Sequence, residues 1–154
     1  MRASQQETQL AIGNRQSAIS YVAIVLLSLI GLADALYLTV EHVTGQSVRC
    51  TIVAGCSEVL SSSYAVVAGI PLATVGAAAY FSVFSLATLA VFGYRIAARL
   101  LFPLTALMVL VSLWLIYLQA FVIRAFCQFC LLSAAITIVL FVIAFFAWKK
   151  GGLR

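Results

Sequence analysis

Cys127-Gln-Phe-Cys130 stands at the mouth of the last long apolar run, and Cys50 and Cys56 stand in the one sizeable polar loop. These are all the cysteines of a sequence otherwise nearly free of reactive groups. The chemistry open to it is thiol–disulfide exchange, in which a thiolate attacks one sulfur of a disulfide and releases the other. Three residues apart at a helix start, Cys127 and Cys130 share one side of the first turn and can close a disulfide. A helix N-terminus favours negative charge, so the thiol lying among its unsatisfied N–H groups is expected to ionise more readily than a free cysteine. Arg124 would add to that effect, although the ordinary role of an interfacial arginine is to hold lipid phosphate. Cys50 and Cys56, with five residues between them, can close a loop disulfide that is either a static staple or an exchanging pair. One pair in a loop and one at a helix start is what a disulfide relay requires, provided the fold brings them together. Zinc is not expected: the spacing lacks the paired short knuckles of structural zinc sites, and His42, the one histidine, adjoins Glu41 at a helix end.

The elements that must position these thiols are membrane helices. With 154 residues, 65% hydrophobic and 8% charged, the chain has too little polar surface to close a soluble globule. Four apolar stretches, about 18–40, 70–92, 100–123 and 125–148, each reach the roughly 20 helical residues that cross a bilayer. The first is too long for a signal core, contains Asp34 and lacks a clear small-residue cleavage site, so it reads as a retained span. Continuous rather than alternating apolarity argues against a β-barrel. The expected fold is all-α, a four-transmembrane-helix bundle with a short interfacial helix in the first outer loop, 41–69. Residues 1–17 and 149–154 form terminal tails around a membrane domain at 18–148.

Basic residues give the orientation. Arg2, Arg15, Arg95, Arg99, Lys149, Lys150 and Arg154 fall on one side, and only Arg49 and Arg124 on the other. The positive-inside tendency makes both termini cytoplasmic. All four cysteines then share the outer face, where disulfides persist. The same anchoring cations account for most of the net charge of +5, and no basic stripe with interleaved aromatics points to nucleic acid.

Within the spans, Pro71 and Pro103 read as helix starts rather than kinks. Gly31, Gly76 and Ala77 to Ala79 are small residues where backbones can approach. Tyr37, Tyr94, Trp114, Tyr117 and Trp148 serve as interfacial anchors or core filling. In the loop, Ser57 is expected to cap a helix running through Glu58, Val59, Leu60, Tyr64 and Val67 to Gly69, a half-buried lid below a mobile stretch that contains Gly55. Asp34, toward the outer third of its span, reads as hydrogen-bonded to a neighbouring helix or to water.

Taken in order, Cys50-x5-Cys56, Ser57-Glu-Val-Leu-Ser-Ser-Ser-Tyr64, Gly69-Ile70-Pro71, Gly76 and Cys127-Gln-Phe-Cys130 resemble the vitamin K epoxide reductase family, especially its bacterial members, over about residues 31–135. The resemblance implies a four-helix bundle around a quinone. It makes Cys127 and Cys130 the active-site pair, with Cys130 facing the quinone and Cys50 with Cys56 shuttling. A partner thiolate would attack at Cys50, and the released Cys56 would attack Cys127. Ser62 matches the family serine, its hydroxyl either donating to a quinone oxygen or back-bonded within the lid. Val59, Leu60, Tyr64, Val75 and Leu115 are the expected quinone walls.

Two departures bear on substrate. The pocket asparagine of the animal enzymes reads as Leu72 and the tyrosine after their active-site pair as Ala134, which favours disulfide formation for exported proteins over vitamin K quinone or epoxide reduction. The chain ends at Arg154 without the thioredoxin-like domain fused to many bacterial relatives, so a separate extracytoplasmic thioredoxin-fold partner in the bacterial cytoplasmic membrane system is expected, with ubiquinone or menaquinone as acceptor. Two readings compete. The Dsb-type quinone oxidase carries its pairs in the reverse order, and a membrane scaffold or sensor would use its disulfides only structurally.

Overall fold

The computed structural model describes residues 2–45, 50 and 55–151. The chain runs α1 (Arg2–Thr44), α2 (Cys56–Leu60), a 3-10 turn (Ser63–Ala65), a two-stranded hairpin of β1 (Val66–Val67) and β2 (Ile70–Pro71), α3 (Leu72–Val91), α4 (Arg95–Tyr117), a π-helical turn (Leu118–Ile123) and α5 (Gln128–Gly151). Among the described residues four helical stretches are long and apolar enough to span a membrane: Ser17–Thr44, Leu72–Val91, Arg95–Ile123 and Gln128–Lys149. The expected four-helix membrane bundle is therefore present. Helices α1 and α4 each pack against both α3 and α5, which closes a square bundle.

Small residues set the helix approach where backbones come closest. A methyl group on Gly31 would collide with the Tyr80 ring, so α1 presses its bare backbone onto α3, the close packing that lipid-solvated helices rely on. Tyr80 is buried and its hydroxyl joins α3 to α5 through Ser133 Oγ at 2.8 Å and Thr137 Oγ1 at 2.9 Å. Around it the core gathers Ile24, Ala35, Ala77, Val83, Leu101, Ile136 and Leu140. At the bundle edge Trp148 stacks on Phe102, and along the exposed side of α4 and the turn after it Trp114 stacks on Tyr117, whose ring meets Phe121 at a tilt.

Several boundaries differ from expectation for local physical reasons. Pro103 lies inside α4, not at its start. The helix begins two turns earlier at Arg95, because arginine stems can run along apolar surface while their guanidinium groups reach water. Pro71 does stand at a helix start, immediately before α3. The lid helix stops at Leu60 and does not reach Gly69. Three successive serines follow, and Ser61 and Ser62 turn their hydroxyls onto the carbonyls of Glu58 and Val59, competing with helical propagation. Gly55, not Ser57, occupies the position before the helix, and the Ser57 hydroxyl bonds Glu58 Oε2 instead. Beyond the serines the chain reverses through Ala68 (φ 52°) and Gly69 (φ 82°) to pair Val67 with Ile70. Two consecutive positive φ values are the requirement of a tight hairpin turn.

Candidate active site

The π-helical turn at the end of α4 determines where Cys127 sits. Gln119 is buried within it; its backbone carbonyl accepts Ala125 N–H at 3.2 Å and its side-chain Oε1 accepts Cys127 N–H at 3.0 Å. Arg124 between them adopts the left-handed conformation (φ 57°). One glutamine thus folds the α4–α5 connection back on itself. A π-helical insertion inside an apolar run commonly marks a functional site. Sequence reasoning passed over Gln119. The available signal was an amide in the otherwise apolar end of the third span, eight residues before a cysteine.

Cys127 stands immediately before α5, and its carbonyl accepts the first helical bond, from Leu131 N–H at 3.0 Å. Its thiol pKa is lowered to about 7, first by the Cys130 thiol hydrogen bond and then by the N–H groups of Cys130 and Phe129, against burial and the negative charge of Asp34. The helix-start thiolate read from sequence is accordingly Cys127. Arg124 is exposed and takes no part. Because the ionised form is the nucleophile, Cys127 reactivity should rise with pH through about 7 and level off above it. Thiolate absorbance of the reduced Cys50→Ala/Cys56→Ala protein will show that inflection; one near 9, the ordinary thiol value, would contradict it.

The two cysteine pairs meet. Cys50 and Cys56 are disulfide-bonded with Cα atoms 5.9 Å apart, while Cys127 and Cys130 are free thiols. Cys56 and Cys127 are both fully buried in one cluster with Leu38 and Val59, against which Cys50, Cys130, Ile123 and Phe129 pack. Gly55 sits on the backbone of Phe126, so the residue before Cys56 touches the residue before Cys127. The mobility expected for this loop falls largely on residues outside those described.

Behind the cluster opens a cavity. Cys130 is on its wall, as are Ser62, Val59, Leu60, Tyr64 and Leu115, all expected there. Val75 is not: it lies on the exposed side of α3. The cavity face of that helix carries Leu72, Ala73 and Gly76, and at about 100° per residue Val75 lies beyond Leu72 on the side away from Gly76 and Ala73. Of the two accounts of Ser62, the back-bonded one holds, with Oγ donating to the Val59 carbonyl at 2.7 Å. Asp34, Gln119, Ser133 and Ala134 also line the cavity. Asp34 Oδ2 is buried and finds no hydrogen-bond partner on a neighbouring helix among the described residues. Those residues gather no group of three or more potential metal ligands.

Substituting Gln119 by Leu leaves the Cys127 N–H buried and unsatisfied, a cost of about 1–3 kcal/mol. Thermal unfolding in detergent should drop accordingly, and Gln119→Glu, which keeps an acceptor, should lose less.

The match to a family model rests on the same stretch of chain: residues 22–145, from the first span through most of the last, match the vitamin K epoxide reductase family. With both cysteine pairs, the cavity and most of the bundle falling inside that match, the chain belongs to the vitamin K epoxide reductase family of membrane, quinone-linked thiol–disulfide oxidoreductases.

Proposed function

We propose that this protein is a quinone-dependent thiol oxidase that reoxidises a separate extracytoplasmic thioredoxin-fold partner and so sustains disulfide formation in exported proteins. The observation that supports it best is the burial of Cys56 against Cys127 in one cluster, with Cys130 beyond them on the cavity wall. Exposure suits the order of exchange: Cys50 is half-buried, Cys56 and Cys127 are fully buried, and Cys130 opens again onto the cavity. Half-buried Cys50 accepts attack from a partner thiolate. Cys56, released as the loop disulfide opens, attacks Cys127 in the oxidised helix pair, and Cys130 leaves as the thiolate. The partner's second thiolate then displaces Cys50 and closes the partner disulfide, and freed Cys50 attacks Cys56, re-forming the loop disulfide and releasing Cys127, so that two electrons have moved inward and the helix pair is left reduced. In this reading both termini lie in the cytoplasm and the cysteines on the outer face of the bacterial cytoplasmic membrane, which the distribution of basic residues supports.

The cavity suits a quinone head group. Its walls are largely apolar, with Leu38, Leu60, Leu72, Leu115, Ile116 and Ile123 able to flank a flat ring and a few polar groups able to reach ring oxygens. Bound there, a quinone supplies the acceptor for two electrons and two protons. Cys130 borders that space, and Leu60 with Leu115 would hold the ring. Leu72 and Ala134, both apolar and both on the wall, offer no hydrogen-bond donor for opening an epoxide, which favours disulfide formation as the physiological direction.

The test mixes purified protein, a reduced thioredoxin-fold protein and ubiquinone or menaquinone analogues, and follows quinone absorbance. Stoichiometric loss of quinone and of partner thiols is expected. No reduction with either quinone class would refute the enzymatic reading, and loss of folding alone in Cys→Ala variants would favour a structural disulfide.

A further inference from the structure

We infer that Asp34 is the acid–base group on the acceptor side of the cavity, handing a proton to the quinone oxygen that faces it while Cys127 and Cys130 close their disulfide. The inference rests on the quinone-oxidase reading above and adds a catalytic residue to it.

The geometry singles out Asp34 by what the neighbouring polar groups already do. On the cavity wall, Ser62 Oγ donates to the Val59 carbonyl at 2.7 Å. Ser133 Oγ is engaged with Tyr80 Oη at 2.8 Å, and Gln119 Oε1 accepts the Cys127 N–H at 3.0 Å. Asp34 Oδ2, buried on the same wall, has no partner among the described residues. Among the described residues no lysine or arginine lines the cavity to fix its charge, and His42, a little over two helical turns along α1, is the one basic group that does. Intramembrane acids are expensive and are retained where they move charge or protons. Asp34 is also near enough for its charge to act on Cys127.

The step balances as follows. The Cys127 and Cys130 thiols form a sulfur–sulfur bond and give up two electrons and two protons, all accepted by the quinone, which becomes the hydroquinone. Protonated Asp34 donates to one ring oxygen as that oxygen gains charge, and takes up the proton released by Cys130. The Cys127 proton goes to the other oxygen.

Asp34→Asn keeps the shape and removes the exchangeable proton. In single turnover, hydroquinone formation by the pre-reduced variant should fall by about 10²- to 10⁴-fold, the range of general acid–base assistance. The oxidation of one equivalent of partner thiols by the pre-oxidised variant should be unchanged, and Asp34→Glu should recover part of the lost rate. A second readout needs no turnover and no change at Asp34. The chain has a single aspartate, so isotope-labelled aspartate in the Cys127→Ala/Cys130→Ala protein gives one carboxyl infrared band, which should shift when menadione is added. Hydroquinone formation by Asp34→Asn at the wild-type rate, equal slowing of both half-reactions, or an unmoved band would each overturn the inference. Failure of the wild-type protein itself to form hydroquinone would instead overturn the underlying reading, and this one with it.

Discussion

Replacing Cys130 by Ala stops quinone reduction and leaves the protein carrying a Cys56–Cys127 bridge. In the relay, Cys130 is both the leaving group when Cys56 attacks Cys127 and the thiol bordering the cavity. Without it, Cys127 retains a nucleophilic sulfur packed in the same cluster as the Cys50–Cys56 disulfide. Attack by Cys127 on Cys56 expels Cys50 as a thiolate, and the new bridge has no neighbouring thiol at the helix start to resolve it. Turnover should fall to the uncatalysed background. Peptide mapping by mass spectrometry under non-reducing conditions should recover Cys56 linked to Cys127, with Cys50 free to alkylation. Trapping should also be slow at neutral pH and faster under alkaline conditions, because the hydrogen bond from Cys130 is the largest influence lowering the Cys127 pKa, and the variant loses it. A Cys50–Cys127 bridge would reverse the assigned order of the loop cysteines. Retained quinone reduction would remove Cys130 from the chemistry.

The parts of this site readable from sequence were those governed by composition and short spacing. Four apolar runs dictate four membrane helices because no other element satisfies its backbone in lipid, and three-residue spacing at a helix start puts Cys127 and Cys130 together whatever the rest of the chain does. Pro71 was readable for the same local reason. What escaped depended on non-local packing or on competition between near-equal local preferences. Gln119 is legible only when the connection folds back and turns its amide onto Cys127. Val75 failed as a wall because one position of helix phase separates cavity from lipid, and a uniformly apolar helix carries no polar face to set that phase. The lid divided into helix, 3-10 turn and hairpin because Ser61 and Ser62 bond locally and Ala68 with Gly69 can reverse the chain, none of which shows in hydropathy. Asp34 was read as bonded to a neighbouring helix or to water, and its Oδ2 has no partner among the described residues.

Gly55→Ala tests whether contact between the loop and the helix start carries the exchange. Gly55 has φ 155° and ψ 1°, a region that side-chain-bearing residues rarely enter. An added Cβ would lie 2.8 Å from the Phe126 carbonyl oxygen and 3.0 Å from its nitrogen, and backbone atoms tied down by Gln119 cannot yield as a flexible side chain would. The variant must therefore distort its backbone or lift the loop from the α4–α5 connection. Backbone strain of this kind costs about 1–3 kcal/mol, and each 1.4 kcal/mol is about a tenfold change in equilibrium. The population with Cys56 seated against Cys127 should thus fall by about one to two orders of magnitude. Stopped-flow transfer of electrons from the reduced loop pair to the helix pair should slow to match. Quinone reduction by protein whose Cys127 and Cys130 have been reduced directly should hold near the wild-type rate, since the cavity and Cys130 lie on the far side of the contact. An unchanged transfer rate would show that the loop reaches Cys127 by another route. Equal loss in both half-reactions would show that Gly55 supports the whole bundle end, and the contact would then have no special part in passing electrons between the pairs.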